Sequence, residues 1–336
     1  MTRSRREVLL GLAGAGLLPG CCGLPLRNFP FDGGPPGEQG AGLEVRFYSV
    51  TCFRVRYGDV ALLTDPFWSH LSFEQVAHHE TLPDPRQVDP YLDQLGDVQA
   101  VVVGHAHYDH MLDLPYVAGA LGSDAKVFGS ATLAHQLAPN HLPRPVIPIN
   151  GAAATPKTSG AWQTAANGAL RILPIRSGHP DQLPGIHLFR KRLSEDRSTP
   201  PNRAGHYQEG ETFAYLVDFL DGGAIQWRVY VQTSSRGAPD GFFPAAIRDE
   251  HPVDVALLAM DCAKKEANSR APSIIDFLDP ATVIFGHWED FFRRKDAVPH
   301  EAAKVDLRSL RRRLLATQER TYLFPGFDSD HFFPNP

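Results

Sequence analysis

Hydrophobic positions along this chain fall mostly into short runs rather than into long stripes of helical period. Residues 45–48, 52–57 and 60–63 are β-type runs separated by the turn signals Ser49 and Gly58-Asp59, and they predict a meander of three strands. The third run ends in Thr64-Asp65-Pro66, which places a carboxylate where a strand opens into a loop. Residues 67–96 are irregular and rich in Pro, His and acidic groups, with one helical candidate near 90–95. The wholly apolar run 100–103 then predicts a buried strand.

Beyond it the pattern alternates: helix over 113–121, strand over 126–128, helix over 132–137, strand over 146–149. A second β-rich half follows, with strands expected at 169–175, 212–219, 225–232 and 253–260. A helix at 274–278, a strand at 282–285, a helix over 301–315 and a closing strand at 322–324 complete it. Two β-rich halves, each with helices, predict two sheets packed face to face with helices outside. That is a four-layer αββα sandwich of the α/β class, spanning residues 43–336 as one domain.

The N-terminus does not fit this pattern. Ser4-Arg5-Arg6 precedes a short Gly/Ala-rich apolar segment ending in Leu18-Pro19-Gly20-Cys21. A charged start, a short apolar stretch and a small residue before a cleavage point describe an export signal, too short to span a bilayer. Residues 1–21 resemble a bacterial twin-arginine signal joined to a lipoprotein box, which implies Cys21 as the lipid anchor and a cell-envelope or periplasmic, membrane-anchored location. Pro19 departs from the usual small aliphatic residue of that box. Residues 22–42, centred on Gly33-Gly34-Pro35-Pro36-Gly37, read as a flexible tether. Of the four cysteines, Cys21 and Cys22 sit at the processing point; Cys52 and Cys262 are too few for a disulfide framework.

Composition narrows the function. The chain has 336 residues, 43% of them hydrophobic, and a formal net charge of −5, so no basic excess points to nucleic acid. The arginines between 308 and 313 read as a solvated helix face. The 15 histidines are informative only through their spacing. In His105-Ala106-His107-Tyr108-Asp109-His110, two histidines lie two apart in extended chain and face the same way. Asp109 and His110 follow where the chain turns into a helix and face a neighbouring position. Three imidazoles and a carboxylate in six residues would each demand a partner if merely buried.

This hexapeptide is similar to the HxHxDH signature of the metallo-β-lactamase superfamily, and the wider pattern resembles the branch with ascorbate-phosphate lactonases and N-acyl phosphatidylethanolamine phospholipase D. The resemblance implies that Asp65 braces the site from behind, that His179 completes a first metal position with His105 and His107, and that His287 joins Asp109 and His110 in a second. It also implies one or two divalent ions, zinc first, with manganese or iron as alternatives. The family places a bridging Asp after a strand where this chain reads Gln232-Thr233-Ser234. Thr233 thus removes a carboxylate, and Asp261 is the candidate to supply the charge.

A three-histidine position keeps a coordination place open for water, and a dication bound by neutral imidazoles brings that water's pKa toward neutrality. The expected activity is hydrolysis of a phosphodiester, a lactone or a lipid-derived ester or amide, with Asp109 orienting the nucleophile and passing a proton. The expected partners are a small-molecule or lipid substrate and the membrane. Residues 183–189 are a candidate acyl groove, and Arg190-Lys191-Arg192 a candidate phosphate contact. His78, His79, His187 and His206 read as surface residues. The alternative of a different class is a non-catalytic metal-binding or scaffold lipoprotein, which the missing Asp favours.

Overall fold

The computed structural model describes residues 23–34, 41–181, 187–262, 273–303, 305–317 and 320–335. The export signal and Cys21 lie outside them. The first half builds one sheet from β1 (Gly42–Ser49), β2 (Cys52–Tyr57), β3 (Val60–Thr64), β4 (Val98–Val102), β5 (Lys126–Gly129) and β6 (Val146–Pro148). The second half builds another from β7 (Gln163–Ala165), β8 (Leu170–Arg176), β9 (Phe213–Asp221), β10 (Ala224–Gln232), β11 (Val255–Ala259), β12 (Thr282–Gly286) and β13 (Thr321–Leu323). The last strand, β14 (Ser329–Pro334), returns to the first sheet and pairs antiparallel with β1.

The strand orders are β14-β1-β2-β3-β4-β5-β6 and β13-β12-β11-β10-β9-β8-β7. Each sheet is mixed, with antiparallel hairpins giving way to parallel strands from β3 to β6 and from β10 to β13. The predicted sandwich of two sheets with flanking helices is borne out. Leu43, Val45 and Phe47 on β1 alternate into the same core as Ile172 on β8 and Val217 on β9, so the two sheets share one apolar interior. On β4, Ala100 and Val102 face that interior while Val101 packs on the other side under the helices. A parallel strand covered on both faces reads as an unbroken apolar run.

Helices are shorter than the sequence pattern suggests. The stretch 113–121 forms only α4 (Leu114–Val117), after α1 (Phe73–His78), α2 (Pro85–Val88) and α3 (Tyr108–Met111). The stretch 90–95 belongs to a 3-10 turn. Next come α5 (Ala131–Leu137), α6 (Ala245–Arg248) and α7 (Ile274–Leu278). The last helix, α8 (Leu307–Leu315), starts six residues later than the expected start at 301, because Asp306 caps it by accepting from the Ser309 amide. Glu301 instead bridges to Glu289 and accepts from the Leu307 amide at 2.9 Å.

Residues 23–34 correct the tether expectation. Leu26 and Phe29 are buried in the main core, the Leu26 amide donates to the Pro299 carbonyl at 2.8 Å, and Gly34 bridges to Asp330. Composition marked this stretch as a linker, but two large apolar side chains are enough to dock it. Residues 35–40 lie outside the described region. Cys52 and Cys262 are both buried free thiols. No described helix is long and apolar enough to cross a membrane.

Candidate metal centre

Chain ends of four strands converge on one rim of the sandwich. β3 runs into Asp65, β4 into His105, β8 into His179 and β12 into His287. The β4 extension is pinned from both sheets: the Val103 amide donates to Phe128, and the Gly104 carbonyl accepts from the Phe213 amide at 2.8 Å. Gly104 is needed here, since a Cβ would sit 1.9 Å from Thr233 Oγ1. His107 is the N-cap residue of α3, so Asp109 and His110 lie in its first turn, with the His110 ring centroid 3.9 Å from that of His105.

His105, His107 and His179 form a compact triangle, with ring centroids 4.8, 4.7 and 4.8 Å apart and planes inclined by 84°, 67° and 89°. Their donor atoms all lie within 4.8 Å of one another. The same is true of Asp109, His110 and His287. Asp109 Oδ2 stands 3.5 Å from His110 Nε2 and 3.6 Å from His287 Nε2. Two ligands roughly 2.1 Å from a tetrahedral ion stand about 3.4 Å apart, so this spacing suits a shared cation. The sequence-predicted ligands are all brought together.

Neighbouring groups fix the tautomers. His110 Nδ1 donates to Asp65 Oδ2 at 2.7 Å, which leaves the Nε2 lone pair facing the rim. Asp65 is fully buried and also accepts from Thr51 Oγ1 and from the Gly104 amide, each at 2.7 Å. Its backbone φ of 37° lies in the left-handed region, as does that of His287 at 57°. Such positions are costly for these residues and are held only by surroundings that over-determine them. His179 Nδ1 donates to the Pro180 carbonyl at 2.7 Å, leaving its Nε2 as the ligand atom.

Electrostatics match. Burial, with the neighbouring imidazoles behind it, pushes His105 and His107 well below the usual histidine range, so both are neutral donors at pH 7. Burial also lowers His179, against the opposing charges of Glu209 and Asp261. Burial would raise Asp109, but His110 and His287 outweigh it and hold the carboxyl well below the ordinary range. For His287, burial is overcome by the hydrogen bond and charge of Asp109, and its pKa is raised. Both nitrogens of His105 and the Nε2 of His107 are buried without a hydrogen-bond partner. Unpaired buried groups cost about 1–3 kcal/mol each, and a cation among them removes that cost. These residues fit a divalent metal.

Where the family's bridging carboxylate would stand, Thr233 is buried with an unpartnered Oγ1. Asp261 supplies no donor atom to the ligand groups found among the described residues. Its Oδ2 accepts from Ser234 Oγ at 3.1 Å and from the Ser235 amide at 3.2 Å, bracing the loop after β10. Two dications about 4 Å apart repel by on the order of 16 kcal/mol at an effective dielectric near 20. A carboxylate between them would offset that repulsion, and Thr233 provides none.

Two residues were missed from the sequence. His187, read as a surface residue, is only partly exposed, and its Nε2 hydrogen-bonds Glu209 Oε2. With His179 these form a third group of donor atoms within 4.8 Å of one another. Glu209 lies in a long loop with no periodic pattern, so only its acidic character before β9 marked it. His78 and His79 are exposed as expected, and His206 is partly buried. Of the groove candidates, 183–186 lie outside the described residues. Arg192 pairs with Glu211 at 3.6 Å.

Residues 61–219 match the family model described as a beta-lactamase superfamily domain. The fold is the metallo-β-lactamase fold, and the resemblance carried by the hexapeptide is borne out. Among solved structures, Igni18, a metallo hydrolase from Ignicoccus hospitalis, is similar at 16% identity and a TM-score of 0.52, over 88% of this chain and 99% of its own. A possible metal-dependent hydrolase from Veillonella parvula is similar at 13% identity and a TM-score of 0.52, over 87% of this chain and 100% of its own. No curated protein matches the chain.

Proposed function

We propose that this chain is a metal-dependent hydrolase acting on a phosphodiester, a lactone or a lipid-derived ester or amide. The observation that carries the reading is the triangle of His105, His107 and His179, in which both nitrogens of His105 and the Nε2 of His107 are buried without partners, next to the second donor group of Asp109, His110 and His287. A divalent cation bound there supplies a Lewis acid and an ionisable water. His105, His107 and His179 hold it as neutral donors. Asp65 fixes the His110 tautomer, and Asp109, kept ionised beside His110 and His287, orients the nucleophile and its carboxylate passes the nucleophile's proton to the leaving group. Membrane anchoring through Cys21 would bring lipid substrates within reach of the rim, which favours the lipid-derived members of this set.

Thr233 favours a second reading, a folded metal-binding scaffold without turnover, because its hydroxyl cannot offset charge as a carboxylate does. The experiment treats purified protein with chelator, restores Zn²⁺, Mn²⁺ or Fe²⁺ singly, and assays bis(p-nitrophenyl) phosphate, acyl lactones and N-acyl phospholipids. Activity that returns with metal and is lost in His107→Ala supports the hydrolase. Folded, metal-loaded protein inert on every substrate supports the scaffold.

A further inference from the structure

Resting on the metal reading above, we propose that His187 and Glu209 extend the centre outward into a third cation position that shares His179 with the first. The donor set is two imidazoles and one carboxylate, all within 4.8 Å of one another. That mixed nitrogen and oxygen set suits a first-row divalent cation such as Fe²⁺, Mn²⁺, Co²⁺ or Zn²⁺.

The donor atoms are held by neighbouring groups. The exposed Asp181 carboxylate stands 3.4 Å from His187 Nδ1, while Nε2 hydrogen-bonds Glu209 Oε2. Thr212 Oγ1 donates to Glu209 Oε1 at 3.2 Å, which leaves Oε2 for the shared place. The backbone of Glu209 is fixed as well: its amide donates to the Phe189 carbonyl, and its carbonyl accepts from the Ala106 amide at 3.0 Å, between the two histidines of the first position. Glu209 is buried beside the centre, and it carries the negative charge that Thr233 does not provide.

Because His179 Nδ1 is committed to Pro180, only Nε2 can bind a cation. The first and third positions therefore exclude one another, and the cation moves between them at constant stoichiometry.

The test titrates chelator-treated full-length protein with Co²⁺, following visible absorption and bound cobalt by equilibrium dialysis. His105→Ala breaks the first position only. It is expected to keep the wild-type cobalt stoichiometry, with a shifted visible spectrum because a carboxylate oxygen replaces an imidazole nitrogen in the donor set. His105→Ala/Glu209→Gln is expected to bind one cobalt fewer. If His105→Ala alone already binds one fewer, the third position does not exist, while the metal centre stands. If wild type takes up no cobalt, or its spectrum is unchanged by His105→Ala, the metal reading fails and this proposal with it. Should the double variant fail to fold by circular dichroism, His105→Ala/His187→Gln makes the same measurement with the same expected loss.

Discussion

Replacing Asp65 by Asn changes only one atom, yet it should strip the second metal position of its ligand geometry. Asp65 Oδ2 accepts from His110 Nδ1 and Thr51 Oγ1, and Oδ1 accepts from the Gly104 amide. An asparagine has one acceptor oxygen, and the Gly104 amide can only donate, so the oxygen settles there and the amide nitrogen faces His110. His110 Nδ1 must then accept, and the ring proton moves to Nε2, the atom that faces Asp109 and His287. Loss of a carboxylate that orients a ligating histidine lowers metal affinity by about 10–100-fold. Each charge-assisted hydrogen bond lost in a buried site costs about 1.5–3 kcal/mol, so the metal-free variant should be destabilised by about that amount. Competition against a fluorescent chelator measures the affinity, and urea unfolding in chelator measures the stability. Unchanged zinc affinity in a folded Asp65→Asn protein would refute the tautomer argument.

Three further outcomes follow from features away from the ligands or just behind them. Gly104→Ala should push Thr233 aside at about 1–3 kcal/mol, since the new Cβ would lie 1.9 Å from Thr233 Oγ1; Thr233→Ala in the same chain should recover part of the loss, and additive melting shifts would contradict the contact. Arg228 is fully buried and holds buried Asp218 with bonds of 2.7 and 2.9 Å, so Arg228→Leu should cost about 3–5 kcal/mol in urea unfolding, and a loss below about 1 kcal/mol would show that Arg171 alone satisfies the carboxylate. Burial lowers His70 from 6.5 to about 3, so the unfolded chain takes up its proton first and stability falls as the pH drops from 6.5 toward 3. At pH 4.5 the loss is about 2–3 kcal/mol, and metal-free His70→Gln should lack that part of the pH dependence; parallel curves would count against it.

Local pattern was enough to place the hexapeptide. The apolar run through Val101 and Val102 predicted β4, and a strand end is where His105 and His107 acquire a shared direction. Asp65, His179 and His287 came from the resemblance that the hexapeptide carries, and each follows an apolar run at the point where the chain leaves its sheet. What could not be read depends on distant partners. β14 pairs with β1 across nearly the whole chain, and Ser329-Asp330-His331-Phe332 carries no clear alternation before its partner is known. Leu26 and Phe29 were hidden in a glycine- and proline-rich stretch because docking two side chains leaves no period. Glu209 and His187 stayed unseen since they meet across a loop, and neither residue follows a strand.

The most direct test of the central claim is an anomalous-difference map from crystals of the full chain, recorded across the zinc, iron and manganese absorption edges. The account predicts a peak within bonding distance of His105, His107 and His179 Nε2. A map with no peak at that place, and the three imidazoles instead hydrogen-bonded to one another or to solvent, would contradict it.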